Sequence, residues 1–400
     1  MASMLDRLRA AQPISETKQK VTSNTAPMLV RETRAQLKPG YSHISAQTLQ
    51  YLGVDAEESI QIDKFLFIDT ETTGLRGGAG TVAFLIGAAC FTEESLVVKQ
   101  FLIRDYHQEA AMLRQVFDMF HKARCLVTFN GASFDMPLLE SRATVNRLQD
   151  RFDVPMHLDM IHATRRVFKM RIRQCSLAAI EERVFGESRE DDLPGAEIPA
   201  RYFKYLKTRE ESLLDPVLLH NQMDIISLAR LLLYAAQLHE NPMASPYHQD
   251  IFSLGKVYEK HGQVGKAAIC YRACTQRDVR ALAGIRLADM LKCLRENQAA
   301  ADAYEALIAH QTVSTHVFTA LAKIYEHRLK EPARALAIVK QGMLYCAEHR
   351  QISKRAAQDY VQLEHRYLRL LRKVEKQNHG IFNQDKSKIG ASETSERPGG

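Results

Sequence analysis

The chain contains no tryptophan, no C-x-x-C pair and no apolar run long enough to cross a bilayer. A spanning helix needs about 18 consecutive apolar residues, and the richest segment, Thr81 to Phe91, falls short of that. Seven cysteines are scattered singly over 400 residues. An odd, unpaired set argues for reduced thiols buried as small hydrophobes, not for a disulfide framework. The N-terminus, MASMLDRLRAAQ, lacks the apolar core and small-residue cleavage site of a secretory signal. These absences predict a cytoplasmic protein with no membrane partner. What is present is ordinary: 46% hydrophobic residues, 25% charged residues and a net charge of +7. That composition excludes a mostly disordered chain. The basic balance suits a nucleic-acid partner without requiring one. At roughly 100–200 residues per domain, the length predicts two or three domains.

Along the chain, residues 1–60 combine scattered cations with Ser/Thr-rich breaks and no sustained period, which predicts a basic, largely flexible arm. From 61 to 240 the pattern changes. FLFID (65–69), TVAFLIGAACF (81–91) and LVVKQFLIRD (96–105) read as three strands in an antiparallel meander. A helical spacing at Met112, Val116 and Phe120 follows, then a strand CLVTFNG (125–131), a helix from Asp135 and a short strand near HLDMI (157–161). This order predicts an α/β domain, a mixed sheet flanked by helices. Pro, Ser and Asn concentrate at 240–249, and beyond them no strand signal recurs. A period of 33–34 residues appears instead: Leu254, Leu287 and Leu321; Tyr258, Leu291 and Tyr325; Tyr271, Tyr304 and Ile338, with Ala267, Ala300 and Ala335 between. Small residues where helices cross and aromatics where pairs stack resemble tetratricopeptide repeats, predicted over 247–346. A helix at 347–376 and a disordered tail at 377–400 complete the reading.

The chemistry gathers at three places. In FIDTETTGL (67–75), Asp69 and Glu71 lie two apart at the end of an apolar strand, so both project to one side. Two such carboxylates repel unless a cation sits between them, and oxygen-only ligation suits magnesium or manganese. Thr72, Thr73 and Gly74 then turn the chain sharply. In TFNGASFD (128–135), Asn130 and Asp135 follow a strand at the start of a helix. In HNQMD (220–224), His220 and Asp224 are four apart on one helical face. Taken singly, these are a solvated turn, an Asn-Gly turn with a helix-capping acid, and a surface pair.

Together and in this order, D-x-E, N-x-x-x-F-D and a titratable residue four before an Asp closely resemble the three motifs of the DEDD exonucleases, which have the ribonuclease H-like fold. CSLAAIEERVFG (175–186), the stretch from Arg189 through Asp192, Pro194 and Gly195 to Pro199, and HNQMDIISLARLL narrow the resemblance to the bacterial YprB-type predicted exonuclease family, over residues 61 to about 238. That family often carries C-terminal tetratricopeptide-like repeats.

The resemblance implies a 3′–5′ exonuclease acting on DNA or RNA. Asp69, Glu71, Asp135 and Asp224 would hold two divalent ions, Mg2+ or Mn2+, and His220 would activate the attacking water. Thr72, Thr73, Gly74 and Asn130 would touch the terminal nucleotide, Asn221 would orient substrate or water, and Asp159 would support the site from behind. One feature departs from the pattern. The histidine subgroup of that superfamily places its His five residues before the last Asp and the tyrosine subgroup a Tyr four before, whereas here a His stands at the tyrosine spacing. Arg165, Arg166, Lys169, Arg171 and Arg173 form the most obvious basic cluster for a single-stranded substrate. An endonuclease on the same fold, and a non-catalytic scaffold recruiting partners through its repeats, are the rival expectations.

Overall fold

The structure, a computed structural model, describes residues 13–18, 27–74, 80–189, 193–310, 314–349 and 354–392. The strands are β1 (Pro13–Lys18), β2 (Leu29–Ala35), β3 (His43–Ile44), β4 (Ile60–Gln61), β5 (Phe65–Thr72), β6 (Ala83–Phe91), β7 (Leu96–Leu102), β8 (Cys125–Thr128) and β9 (Met156–Asp159). The helices of the same part are α1 (Ala46–Leu52), α2 (Glu109–Phe120), α3 (Asp135–Val145), α4 (Met160–Phe168), α5 (Leu177–Ile180), α6 (Ile198–Thr208), α7 (Asp215–Glu240) and α8 (His248–Lys260). Seven strands form one sheet in the order β1-β2-β7-β6-β5-β8-β9. The pairs from β2 to β5 are antiparallel, and β5-β8 and β8-β9 are parallel. The meander and the mixed sheet expected from the apolar runs are therefore present.

Alternation along β5 decides which side the chemistry faces. Leu66 and Ile68 enter one core with Met112, Val116 and Phe117 of α2 and Tyr202 of α6. Phe65 and Phe67 enter the other, with Ala163 and Val167 of α4 and Ile225 and Leu228 of α7. With a period of two, Asp69 and Glu71 continue the Phe65–Phe67 row and meet α7.

Two expectations fail. Residues 29–60, read as part of a flexible arm, are structured. β2 pairs with β7 over its whole length, from Leu29 opposite Leu102 to Ala35 opposite Leu96. Ser45 caps α1 through the Thr48 amide, Gly53 ends it in the left-handed region at φ 99°, and Leu49 and Leu52 are buried. The signal was hidden because β2, LVRETRA, buries only Thr33 and Ala35 fully and carries Arg31, Glu32 and Arg34. Residues 1–12 and 19–26 of that arm lie outside the described residues.

The second failure concerns the boundary. The chain divides into Met1–His261 and Gly262–Gly400, so α8, expected to open the first repeat, belongs to the sheet-containing unit. Leu254 enters the core with Phe65 and Ile225, and the Tyr258 hydroxyl donates to the His239 carbonyl at 2.6 Å. Asp250, fully buried, accepts from Arg171 Nη2 at 2.8 Å.

The second unit is helical throughout its described residues: α9 (Val264–Ala273), α10 (Arg277–Cys293), α11 (Asn297–Ala309), α12 (Thr315–Lys323), α13 (Pro332–His349) and α14 (Lys354–Ser392). Ala300, Tyr304, Leu321, Tyr325, Ala335 and Ile338, all named by the sequence period, share its core. The tail expected at 377–400 is helical as far as Ser392, and 393–400 lie outside the described residues. No helix among the described residues is long and apolar enough to cross a membrane.

A fragment ending at Glu240 removes Leu254 and Tyr258 from the core and leaves the Arg171 guanidinium without Asp250. Breaking a buried pair in this way costs about 3–5 kcal/mol. Fragments 1–261 and 1–240 compared by urea unfolding should therefore differ by at least that much. Equal midpoints would show that α8 is dispensable to the first unit.

Candidate active site

Asp69 and Glu71 stand at the end of β5, Asp135 opens α3, and His220 and Asp224 occupy the second and third turns of α7. The fold brings these elements together at the end of β5, a central strand of the sheet. Asp69 feels the charges of Asp224, Glu71 and Asp135, so four acids from three separate stretches of the sequence act on one another. His220 Nε2 lies 3.6 Å from Asp224 Oδ2 and 4.0 Å from Glu71 Oε1, which sets the imidazole between strand and helix.

Three of the acids are also held by neighbouring side chains. The Asn221 amide donates to Asp69 Oδ2 at 2.8 Å and is itself fixed by Gln100, which donates to Asn221 Oδ1 at 2.9 Å and to the Leu218 carbonyl at 2.7 Å. The Thr70 hydroxyl donates to Asp135 Oδ1. Arg189 pairs with Asp224 and, through a two-pronged contact, with buried Glu181. Arg230 of α7 in turn pairs with Glu187 at 2.5 Å. The segment from Glu181 to Arg189 is thus tied to the helix that carries Asp224. Asp192, expected to follow Arg189 in the same motif, lies outside the described residues.

Asn221, expected to contact substrate or water, is fully buried and spends its amide on Asp69. On a helix the residue after His220 turns about 100° away from it, and here that direction points into the sheet. Thr72 and Thr73 use their hydroxyls inside the turn: Thr72 donates to the Gly74 carbonyl at 2.8 Å, and Thr73 accepts from the Val82 amide at 2.9 Å. Asn130 sits at φ 68°, a left-handed conformation that Asn tolerates. Its amide donates to Asp159 Oδ1 at 2.6 Å, and the Ala132 amide donates to Asp159 Oδ2 at 3.2 Å. Asp159 therefore supports the Asn130–Asp135 turn from behind.

Three contributors were not legible as functional. Gly87 lies opposite Asp69 in the β5-β6 register. A Cβ there would stand 2.2 Å from Ile225 Cδ1 and 2.3 Å from Asn221 Oδ1, so only glycine lets α7 come this close. Gln100, one polar residue within the strand read over 96–105, orients Asn221. Phe134 precedes Asp135 with its side chain 56% exposed, an aromatic face at the rim of the site.

The donors are carboxylate oxygens, the chemistry of a magnesium or manganese site. Asp69 is held well above the usual carboxylate range, first by burial and then by the like charges of Asp224, Glu71 and Asp135, against the opposing Asn221 hydrogen bond. Asp135 is raised too, chiefly by burial, while Thr70 pulls it back. A divalent cation would relieve that repulsion, so the residues fit such an ion in charge and donor type. No three His, Cys, Asp or Glu side chains among the described residues close into a ready-made ligand cage.

The fold defines the class: residues 66–236 match the RNase_H superfamily. The chain is 32% identical over 289 residues, 70% of its own length and 69% of the other, to the uncharacterized protein YprB of Bacillus subtilis (strain 168). It belongs to the YprB family. Among solved structures, a family B DNA polymerase from the hyperthermophilic archaeon Pyrobaculum calidifontis overlaps 52% of this chain at 15% identity and a TM-score of 0.36, and the chain spans 30% of that polymerase.

Two outcomes test this geometry. Gly87→Ala should lose about 1–3 kcal/mol by overpacking in urea unfolding, while Gly80→Ala, with nothing within 4 Å, should stay near wild type. A Gly87→Ala protein as stable as wild type would mean that α7 is not seated on this strand.

The second outcome is a pH dependence. The native values of Asp69 and Asp135 lie above the unfolded ones, about 3.9 for Asp. The native state therefore binds the extra protons, and stability in chelator falls as pH rises through that interval. Asp69→Asn should flatten this slope and raise the melting temperature at neutral pH. An unchanged slope would locate the pH dependence elsewhere.

Proposed function

We propose that this chain is a divalent-metal-dependent nuclease that removes nucleotides from the 3′ end of single-stranded DNA or RNA. One observation carries the reading: four carboxylates from β5, α3 and α7 are gathered at the end of the central strand β5, with Asp69 half-buried among the charges of the other three. Such an arrangement works against stability unless a cation is to be held there. Asp69, Glu71, Asp135 and Asp224 would hold Mg2+ or Mn2+, which when bound supplies Lewis-acid stabilisation of a phosphate and a more acidic water.

The chain's own residues do the rest. His220, between Glu71 and Asp224, receives a proton from the attacking water. Asn221 and Thr70 keep Asp69 and Asp135 in register. Phe134, exposed next to Asp135, offers its ring to the terminal base, since bases stack on aromatic faces whatever their identity. The helical second unit, read as a tetratricopeptide-like stack, offers a surface for a protein partner.

A single strand labelled at either end, incubated with and without manganese, tests the activity. Release of mononucleotides first from the 3′ label is the expected result. Internal cuts would favour an endonuclease, and binding without any cleavage would favour a scaffold. Asp69→Ala should abolish turnover while the protein stays folded. His220→Ala should lose roughly two to four orders of magnitude, the usual range for a positioned acid or base. His220→Tyr should keep more activity than the Ala variant. Near-normal turnover in Asp69→Ala at saturating manganese would overturn the assignment.

A further inference from the structure

Five cations fall within nine residues, from Arg165 to Arg173, and the structure sorts them into two kinds. Arg166 turns inward, donating to the Leu52 carbonyl with its guanidinium against Gly53. Arg171 pairs with buried Asp250 and lies over the Tyr247 ring at 3.9 Å. Both hold the fold together. Arg165, Lys169 and Arg173 are exposed and line one cleft of about 790 Å³, which Phe129 and Asn130 also line. Among the described residues, no acidic side chain lines this cleft.

From these observations we infer that the Arg165–Lys169–Arg173 cleft is the track for a single-stranded nucleic acid, taking its phosphates on the way to the acid site. Charge complementarity names the occupant. Three cations, with no acid among the described lining residues, favour a polyanion, and half-buried Phe129 on the wall suits a strand whose bases are unpaired. Continuity supplies the direction. Asn130, on the cleft wall, is the first residue of the turn that Asp159 pins and that leads into Asp135. Arg165 and Lys169 are one turn apart at the end of α4, about 6 Å along its axis, so successive cations meet successive phosphates. The end that leaves this track enters the acid site, and in that respect the inference rests on the nuclease reading above. A merely structural role, cations complementing the C-terminus of α4, makes the opposite prediction: lost stability with unaltered binding.

Fluorescence anisotropy of the full chain in EDTA, with labelled oligo-dT and oligo-U of twelve nucleotides, separates strand binding from catalysis. The triple variant Arg165→Ala, Lys169→Ala, Arg173→Ala should bind at least tenfold more weakly at low salt. The slope of log affinity against log salt should fall by about two, from roughly 0.7 per phosphate contact on single strands. Its melting temperature should match wild type, because all three side chains are exposed. Arg171→Ala should do the reverse, lowering the melting temperature and keeping the salt slope. Tighter binding of oligo-dT or oligo-U by wild type then shows whether the DNA or the RNA strand is preferred. A triple variant that binds like wild type with the same slope, or a wild type that binds neither strand, overturns the cleft. Strand binding that depends on the three cations, with no cleavage in manganese, supports the cleft while sinking the nuclease reading. Cleavage of long strands at wild-type KM by the triple variant sinks the cleft and leaves that reading standing.

Discussion

Four carboxylates that repel one another are held at the end of one central strand, and much of the first unit serves to keep them there. The repulsion is felt at Asp69, where partial burial thins the water that would screen it. The opposing force is packing. α7 lies on β5 and β6 with Ile225 and Leu228 in the core, and its approach is set by a missing side chain at Gly87. The buried Asn221–Gln100 pair then satisfies the Asp69 carboxylate from below. A core of this density fixes distances that charges alone would enlarge.

What could be read from the letters follows from this division. An acid at the end of an apolar strand is visible, because the run FLFI fixes both the strand and the alternation that carries Asp69 and Glu71. His220 and Asp224 are visible through their spacing of four. Gly87 and Gln100 were not, since their roles depend on which helix crosses which strand, a long-range fact that no local period encodes. Asn221 was misread for a similar reason. Its neighbours suggested a water-facing amide, whereas the helix phase turns it into the sheet.

The domain boundary shows the same limit from another side. The repeat period assigned Leu254 and Tyr258 to a helical array, and the letters do match. Tertiary contacts decided otherwise: Asp250 completes an ion pair with Arg171, and Tyr258 bonds the end of α7 through His239. A hydrophobic period specifies which face of a helix is buried, not what buries it. β2 failed in the opposite direction, its charged letters concealing a strand that pairs fully with β7.

The site also divides its residues by the rigidity they need. Asp69 and Asp224 stand on a long strand and a 26-residue helix, elements whose backbone bonds are satisfied internally and whose positions follow from the core. Asp135 has a weaker foundation, since it follows a turn with Asn130 in the left-handed region. That turn receives compensating restraints: two amides on Asp159 and the Thr70 hydroxyl on Asp135 itself. Catalytic geometry has to be held to within about half an ångström, and a turn reaches that only when its polar groups are pinned from a neighbouring strand. Residues that meet a variable strand have the contrary requirement. Arg165, Lys169 and Arg173, which we propose to meet such a strand, are exposed on long and adaptable side chains, while Arg166 and Arg171 from the same run are consumed by the fold.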